Sequence, residues 1–372
     1  MVQRFLPGQH LFHVPRPYGE AMHGLTARLL LSAVLLAATG MAGPAATPPP
    51  VMRYVSLGDS LTAGFQSGGL TAQGQQAAYP VIIARLAHID FGVPAGKAPG
   101  CPPPLDGGLF KPGASCVRVQ PNVRGSNFAV PGARVEDLLN RTAQTAPDAA
   151  TRQLYTLILG PKLSQVGAAL KSRPTFISVW IGANNVLDTL TSGNPAQATP
   201  PAAFEASYRR LLDALKPAGA TVVLLTVPDV TRVPLLASGD FLFRQGIGQP
   251  DCAGSASRVA LSVLLSEAPA NCNAPYALTP AKLDAIRGTV NAYNAVILKL
   301  AAERGLKVFD VNPLFATLRA TDPNLSDPNQ PFGPDFSLDG VHLSSSAQTR
   351  LADALVAFGN ANFGLQIKLP GS

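Results

Sequence analysis

Five short apolar runs limit how this chain can fold more than any other feature: Arg53–Leu57, Ser126–Val130, Thr175–Ile181, Thr221–Val227 and Lys307–Val311. They are bounded by Gly, Pro or Asp and favour β-branched or aromatic residues, which is the signature of strands. Between them lie stretches of helical periodicity, Gln76–His88, Lys162–Lys171, Ala202–Lys216 and Pro280–Arg304, with a last one at Ser344–Phe358. Pro280 opens its stretch and Gly305 follows it, as helix boundaries favour. Strands that alternate with helices predict βαβ units, hence an α/β fold with a mainly parallel five-stranded sheet covered on both faces. The near-continuous apolar run TVVLLTV at Thr221–Val227 suits burial on both sides. In such sheets ligands bind beyond the carboxyl ends of the strands, so the chemistry is to be sought there.

A chain of 372 residues that is 47% hydrophobic can bury a sizeable core, and its 34 Gly and 35 Pro imply long, stiffened loops. The net charge of +7 is dispersed, with no block of Lys and Arg of the kind a nucleic-acid surface requires. Residues 1–42 read as an export signal, with Met22 offering an alternative start. Arg28 precedes an apolar stretch from Leu29 to Ala38, and small residues follow. That stretch is shorter than the roughly 20 residues of a membrane span, although an uncleaved anchor is the competing reading. Residues 43–50, GPAATPPP, form a Pro-rich spacer, and 51–372 read as a single domain. Its two insertions, near 91–124 and 234–277, hold the four cysteines as local pairs, Cys101 with Cys116 and Cys252 with Cys272. Outside the cytoplasm an even count favours disulfides, and nearest-neighbour pairing is one of three connectivities. The absence of a CxxC spacing gives no support to zinc.

The strand ends supply a consistent set of polar groups. The first strand runs into Gly58-Asp59-Ser60, the second into NFAVPGARV with Gly132, and the third into IGANNVL with Asn184 and Asn185. SLDGVHLSSSAQ places Asp339 and His342 just before the last helix. Of five histidines, His10, His13 and His23 precede the expected cleavage zone, which leaves His88 and His342. His88 ends a helical pattern, where the helix dipole is explanation enough. A serine hydroxyl becomes nucleophilic when a base takes its proton and a third group orients that base. Ser60, His342 and Asp339 fit those three parts. The Ser60 and Gly132 backbone N–H groups and the Asn184 amide fit an oxyanion hole. Each piece alone has a plain structural reading: a turn with a helix cap at Gly58–Ser60, and caps at Asn184 and Asp339. Their occurrence in order at successive strand ends favours the catalytic one.

These blocks resemble the SGNH, or GDSL, hydrolase family of esterases and lipases. SLGDSLTAG is similar to the block that carries the nucleophile, at Ser60; NFAVPGARV to the glycine block, at Gly132; IGANNVL to the Gly-x-Asn-Asp block, at Asn184; and DGVH to the Asp-x-x-His block, at Asp339 and His342. One position departs, Asn185 standing where the family usually has Asp. The Gly-x-Ser-x-Gly signature is absent, because Thr62 replaces its second glycine. The resemblance spans Tyr54 to Phe358 and implies a three-layer, flavodoxin-like sandwich. It also implies a serine ester hydrolase that works through an acyl-enzyme. With only His88 and His342 left after processing and the cysteines paired, no metal or organic cofactor is expected.

The apolar stretches PLLASGDFLF and VALSVLLSEA in the second insertion point either to plain helix core or to a groove for aliphatic or lipid esters, with transient contact with lipid surfaces by a secreted or periplasmic monomer. A carbohydrate O-acetyl esterase and a catalytically silent exported binding protein are the alternatives. GVPAGKA around Lys97 lacks the spacing of a phosphate loop, so a nucleotide-binding protein is rejected.

Overall fold

A computed structural model describes residues 52–105, 113–318 and 322–371. The export signal 1–42, with the alternative start Met22, lies outside the described residues, as do the spacer 43–50 and positions 106–112 of the first insertion. In chain order the strands are β1 (Tyr54–Gly58), β2 (Phe176–Trp180), β3 (Thr221–Leu225), β4 (Leu236–Ser238), β5 (Arg258–Ala260) and β6 (Lys307–Phe309). The central sheet has the order β1-β2-β3-β6, and all its pairs are parallel.

The run at Ser126–Val130 reaches the sheet without becoming a full strand. It lies alongside β1 through one parallel bridge, Ser56 to Asn127. Three backbone hydrogen bonds hold it: Ser56 N–H donates to Ser126 O (3.0 Å), Phe128 N–H to Ser56 O (2.9 Å) and Val130 N–H to Gly58 O (3.2 Å). The Asn127 side chain explains the irregularity. It turns inward, donating to Thr62 O at 2.7 Å and accepting from Ala129 N–H. With this segment counted second in chain order, the sheet reads 2-1-3-4-5, the flavodoxin-like arrangement. Its order reverses beside β1, and ligands of such sheets bind at that switch point.

Two cores flank the sheet. Val55, Leu57, Ile177, Val179 and Leu224 face one, which the helices Ala149–Leu159, Gln165–Ser172, Pro201–Leu215 and Pro280–Arg304 cover. Trp180 and Leu225 face the other, beneath the helices Tyr79–Leu86 and Ser345–Phe363. Trp180 is only 1% exposed and meets Tyr79 and Phe315 edge-on at 5.7 and 6.1 Å. Of the helical stretch expected over Gln76–His88 only Tyr79–Leu86 forms, and a separate helix, Ala72–Gln76, ends where that expected stretch begins. Pro80 stands in the first turn of Tyr79–Leu86, where a missing N–H is tolerated but an earlier turn cannot continue. The last helix runs five residues past the expected Phe358, to a left-handed cap at Gly364.

Both cysteine pairs are joined, Cys101 to Cys116 and Cys252 to Cys272. The second insertion has its own antiparallel pair, β4–β5, and its own small core around Phe241, Leu242 and Val259. Among the described residues no helix is long and apolar enough to cross a membrane.

Candidate active site

Gly58 closes β1 because nothing larger fits there. A Cβ on it would lie 2.3 Å from Trp180 O and 2.5 Å from Thr62 Oγ1. Asp59 follows as the cap of a one-turn helix, Ser60–Ala63, its Oδ1 accepting from Leu61 N–H at 3.0 Å. Three buried amides fix this turn from distant parts of the chain. Gln165 embraces Gly58, accepting its N–H at 3.0 Å and donating to its carbonyl at 2.8 Å. Asn127 donates to Thr62 O, and Gln348 donates to Leu61 O at 3.0 Å. Ser60 is held at the tip with 8% exposure.

The second turn comes from the chain just before the last helix. Asp339 Oδ1 accepts from the N–H groups of Val341 and His342, both at 2.9 Å, and from Ser337 Oγ at 3.2 Å. Its Oδ2 accepts from Gly68 N–H at 2.7 Å and from His342 Nδ1 at 2.9 Å. The other ring nitrogen, Nε2, stands 2.8 Å from Ser60 Oγ. The Phe65 ring packs against the imidazole, with centroids 4.9 Å apart. Burial pushes Asp339 upward, but His342 and the donors around the carboxylate outweigh it and hold it well below the usual range. An ionised Asp339 can only accept, so Nδ1 carries the proton and Nε2 is free to accept from the serine hydroxyl. Burial pulls His342 down, yet Asp339 above all, with Asp59 adding, raises it on balance. Asp59 itself is pushed up to about 7 by burial, against the opposing pull of the Leu61 N–H and His342.

The structure thus brings Ser60, His342 and Asp339 into one hydrogen-bonded line. Gly132 and Asn184 stand on two loops that a hydrogen bond next to Gly132 joins. Gly132 adopts φ +79°, with nothing within 4 Å of where a Cβ would stand, so backbone conformation rather than crowding calls for glycine. The Asn184 amide donates to the next carbonyl, Ala133 O, at 3.0 Å. Asn185 knits the same two loops together, accepting from Val135 N–H at 3.1 Å and donating to Glu136 Oε2 at 3.2 Å and Thr199 Oγ1 at 3.1 Å. An aspartate there would set like charges against Glu136, which accounts for the departure from the family pattern. His88 lies exposed at the end of the helix Tyr79–Leu86 and takes no part in this line. Among the described residues no three His, Cys, Asp or Glu are gathered so as to hold a metal ion.

Sequence reasoning missed Gln165, Asn127 and Gln348 at the Ser60 turn, and Phe65, Gly68 and Ser337 around Asp339 and His342. Gln348 left a faint trace, a polar residue on the face of the last helix that buries Leu351 and Leu355. Gly68 left none, because its partner Asp339 lies 271 residues away.

The comparison with curated proteins found no match. Similar solved structures include an extracellular lipase from Streptomyces rimosus, 17% identical, covering 82% of this chain and 99% of that one, with a TM-score of 0.41. An acetylxylan esterase from Geobacillus stearothermophilus, in a catalytic-mutant form, is 15% identical over 82% of this chain and 93% of its own, with a TM-score of 0.41. An alpha/beta hydrolase from the metagenome of Lake Arreo, Spain, is 15% identical over 82% and 94%, with a TM-score of 0.39. The family described as GDSL-like lipase/acylhydrolase matches residues 54–355, and to that family the chain belongs.

Proposed function

We propose that this chain is an exported serine hydrolase of aliphatic or lipid carboxyl esters, with Ser60 as nucleophile, His342 as base and Asp339 as its orienting acid. The observation that carries the reading is the unbroken line from Ser60 Oγ to His342 Nε2 at 2.8 Å and from His342 Nδ1 to Asp339 at 2.9 Å. Ser60 Oγ attacks the ester carbonyl carbon as Nε2 takes its proton, and ionised Asp339 stabilises the imidazolium that results. The oxyanion is received by the Ser60 and Gly132 N–H groups and by the Asn184 amide, whose second hydrogen stays available beside its bond to Ala133 O. Nε2–H then protonates the departing alkoxide and leaves an acyl-enzyme. Water repeats the sequence, losing a proton to Nε2 and releasing the acid and free Ser60.

Among the described residues, burial of the tryptophan and of most tyrosines supports aliphatic esters over acetylated glycans. Trp180 is sealed in the core, and Tyr54, Tyr79, Tyr155, Tyr208 and Tyr293 are buried too. Passing contact of a monomer with a lipid surface belongs to the same reading and rests on the edge of the second insertion, where Leu265 is 77% exposed while Phe241, Leu242 and Val259 are buried. The two disulfides suit an oxidising compartment outside the cytoplasm. Wild-type and Ser60→Ala proteins assayed on esters of increasing acyl length, beside acetylated xylan, test this function. Aliphatic esters should be the better substrates, and the serine variant should lose on the order of 10^4–10^6-fold in kcat. Faster release of acetate from xylan than from any aliphatic ester would reverse the substrate reading.

A further inference from the structure

A carboxylate taken out of water keeps its charge only where donors fill its lone pairs, and Asp339 gathers five of them. Four are N–H groups: Val341 and His342 from the turn's own backbone, Gly68 from a distant loop, and the His342 ring itself. The fifth is a hydroxyl, and it belongs to a residue with a second attachment. Ser337 Oγ donates to Asp339 Oδ1 at 3.2 Å while accepting from Ser67 N–H at 2.8 Å. Ser67 answers across the same gap, its Oγ accepting from Leu338 N–H at 3.2 Å. Gly68, the next residue, donates to Oδ2, the oxygen that also holds the imidazole.

The loop that carries Ser67 and Gly68 is anchored in turn. Leu105 N–H donates to Ser67 O at 2.6 Å, Leu70 N–H to Pro102 O at 3.1 Å and Cys101 N–H to Leu70 O at 2.9 Å. Cys101 is bonded to Cys116, so this loop rests on the disulfide-stapled insertion. Ser337 is buried where its hydroxyl is shared between that loop and the carboxylate.

We propose that Ser337 is a positioning residue for the base: its hydroxyl locks the Asp339 carboxylate to the Ser67–Gly68 loop and so fixes the direction in which His342 points at Ser60. The proposal rests on the Ser60–His342–Asp339 reading above. Ser337 touches no reacting atom and acts only through Asp339. Its loss therefore lowers the rate of the chemical step and leaves ester binding alone. A hydroxyl that merely stiffened the turn would alter stability without a selective effect on kcat.

The test is steady-state hydrolysis of a short aliphatic ester by Ser337→Ala, Ser337→Thr, Ser60→Ala, Asp339→Ala and the Ser337→Ala/Asp339→Ala pair, each checked for folding by circular dichroism. Ser337→Ala should lower kcat about ten-fold with KM within about two-fold of wild type. Ser337→Thr, which keeps the hydroxyl, should recover most of the rate. In the Asp339→Ala background the serine change should cost nothing further, since the two act as one unit. Should Ser337→Ala fold poorly, Ser337→Gly also lacks the hydroxyl and carries the same expectation. Wild-type kcat in a hydroxyl-free variant, or an undiminished ten-fold loss without Asp339, overturns the proposal. An inactive Ser60→Ala beside a fully active Ser337→Ala removes this inference alone, whereas an active Ser60→Ala removes the triad with it.

Discussion

The nucleophile turn and the acid–base turn meet at one hydrogen bond, yet they are supported in opposite ways. Gly58–Ser60 ends a strand of the central sheet and is gripped by the buried amides of Gln165, Asn127 and Gln348. Asp339–His342 belongs to a loop, and both side chains keep 13% exposure. The donors around it come from its own backbone, from Ser337 and from the loop after the nucleophile. A disulfide-bonded insertion stands behind it on each side. The first acts through Ser67–Leu70, and the second through Leu235 N–H, which donates to Gly340 O at 2.9 Å. The fold's core therefore aims the nucleophile, and its loops aim the base. Ser60 itself apart, damage to the supports of the first turn should be read mainly in stability, damage to the second mainly in rate.

The largest effect that sharpens this contrast is on the loop side. His342→Ala should lower kcat on the order of 10^4–10^6-fold, and calorimetry should find its melting temperature close to wild type. A melting point lowered by many degrees would place the base in the core as well. Asn184→Ala removes the side-chain donor proposed for the oxyanion and should cost about 10^2–10^3-fold in kcat with little change in KM, measured on the same ester.

Gln165→Ala probes the other turn. It strips the buried Gly58 N–H of its partner and opens a cavity, so urea unfolding should show a loss of about 2–4 kcal/mol. The variant that still folds should keep kcat within a few-fold, and a rate loss larger than the stability loss would break the comparison. The smallest effect is on pH dependence. The base must be neutral to accept the serine proton, and His342 lies above its ordinary value, so kcat/KM should rise through a pH above about 6.5. Asp59 contributes part of that rise, after Asp339. Asp59→Asn keeps an acceptor for Leu61 N–H but removes the partial charge that Asp59, pushed up to about 7, carries there, and should move the acidic limb to lower pH. A limb that stays in place, or moves up, would remove Asp59 from the electrostatics of the base.

What the sequence disclosed follows the same division. A strand that must stop at Gly58 and a helix that must begin after Asp59 are local grammar, so the turn could be read from a dozen residues, whereas singling out Ser60 needed the other blocks in order at the later strand ends. His342 was legible for a different reason, since few other histidines remained. The parallel sheet was legible through its apolar runs, although Ser126–Val130 became a bridged edge because Asn127 turns inward. The break before Tyr79 followed from Pro80, whose effect the helical spacing around it concealed. The supports were not legible, because Gln165 meets Gly58 across 107 residues and Gly68 meets Asp339 across 271, with no spacing to betray either. Asn185 was visible as a departure, but its reason, the facing Glu136, appears only in three dimensions.

The central claim is that Ser60 is the one serine made nucleophilic, and covalent labelling tests it most directly. The wild-type protein, Ser60→Ala and His342→Ala should be treated with a fluorophosphonate ester, and the adducts mapped by peptide mass spectrometry. The account predicts one adduct per chain on the wild type, on the peptide containing Ser60, with labelling abolished in Ser60→Ala and slowed by orders of magnitude in His342→Ala. Stoichiometric labelling of another serine, or unchanged labelling of Ser60 without His342, would contradict it.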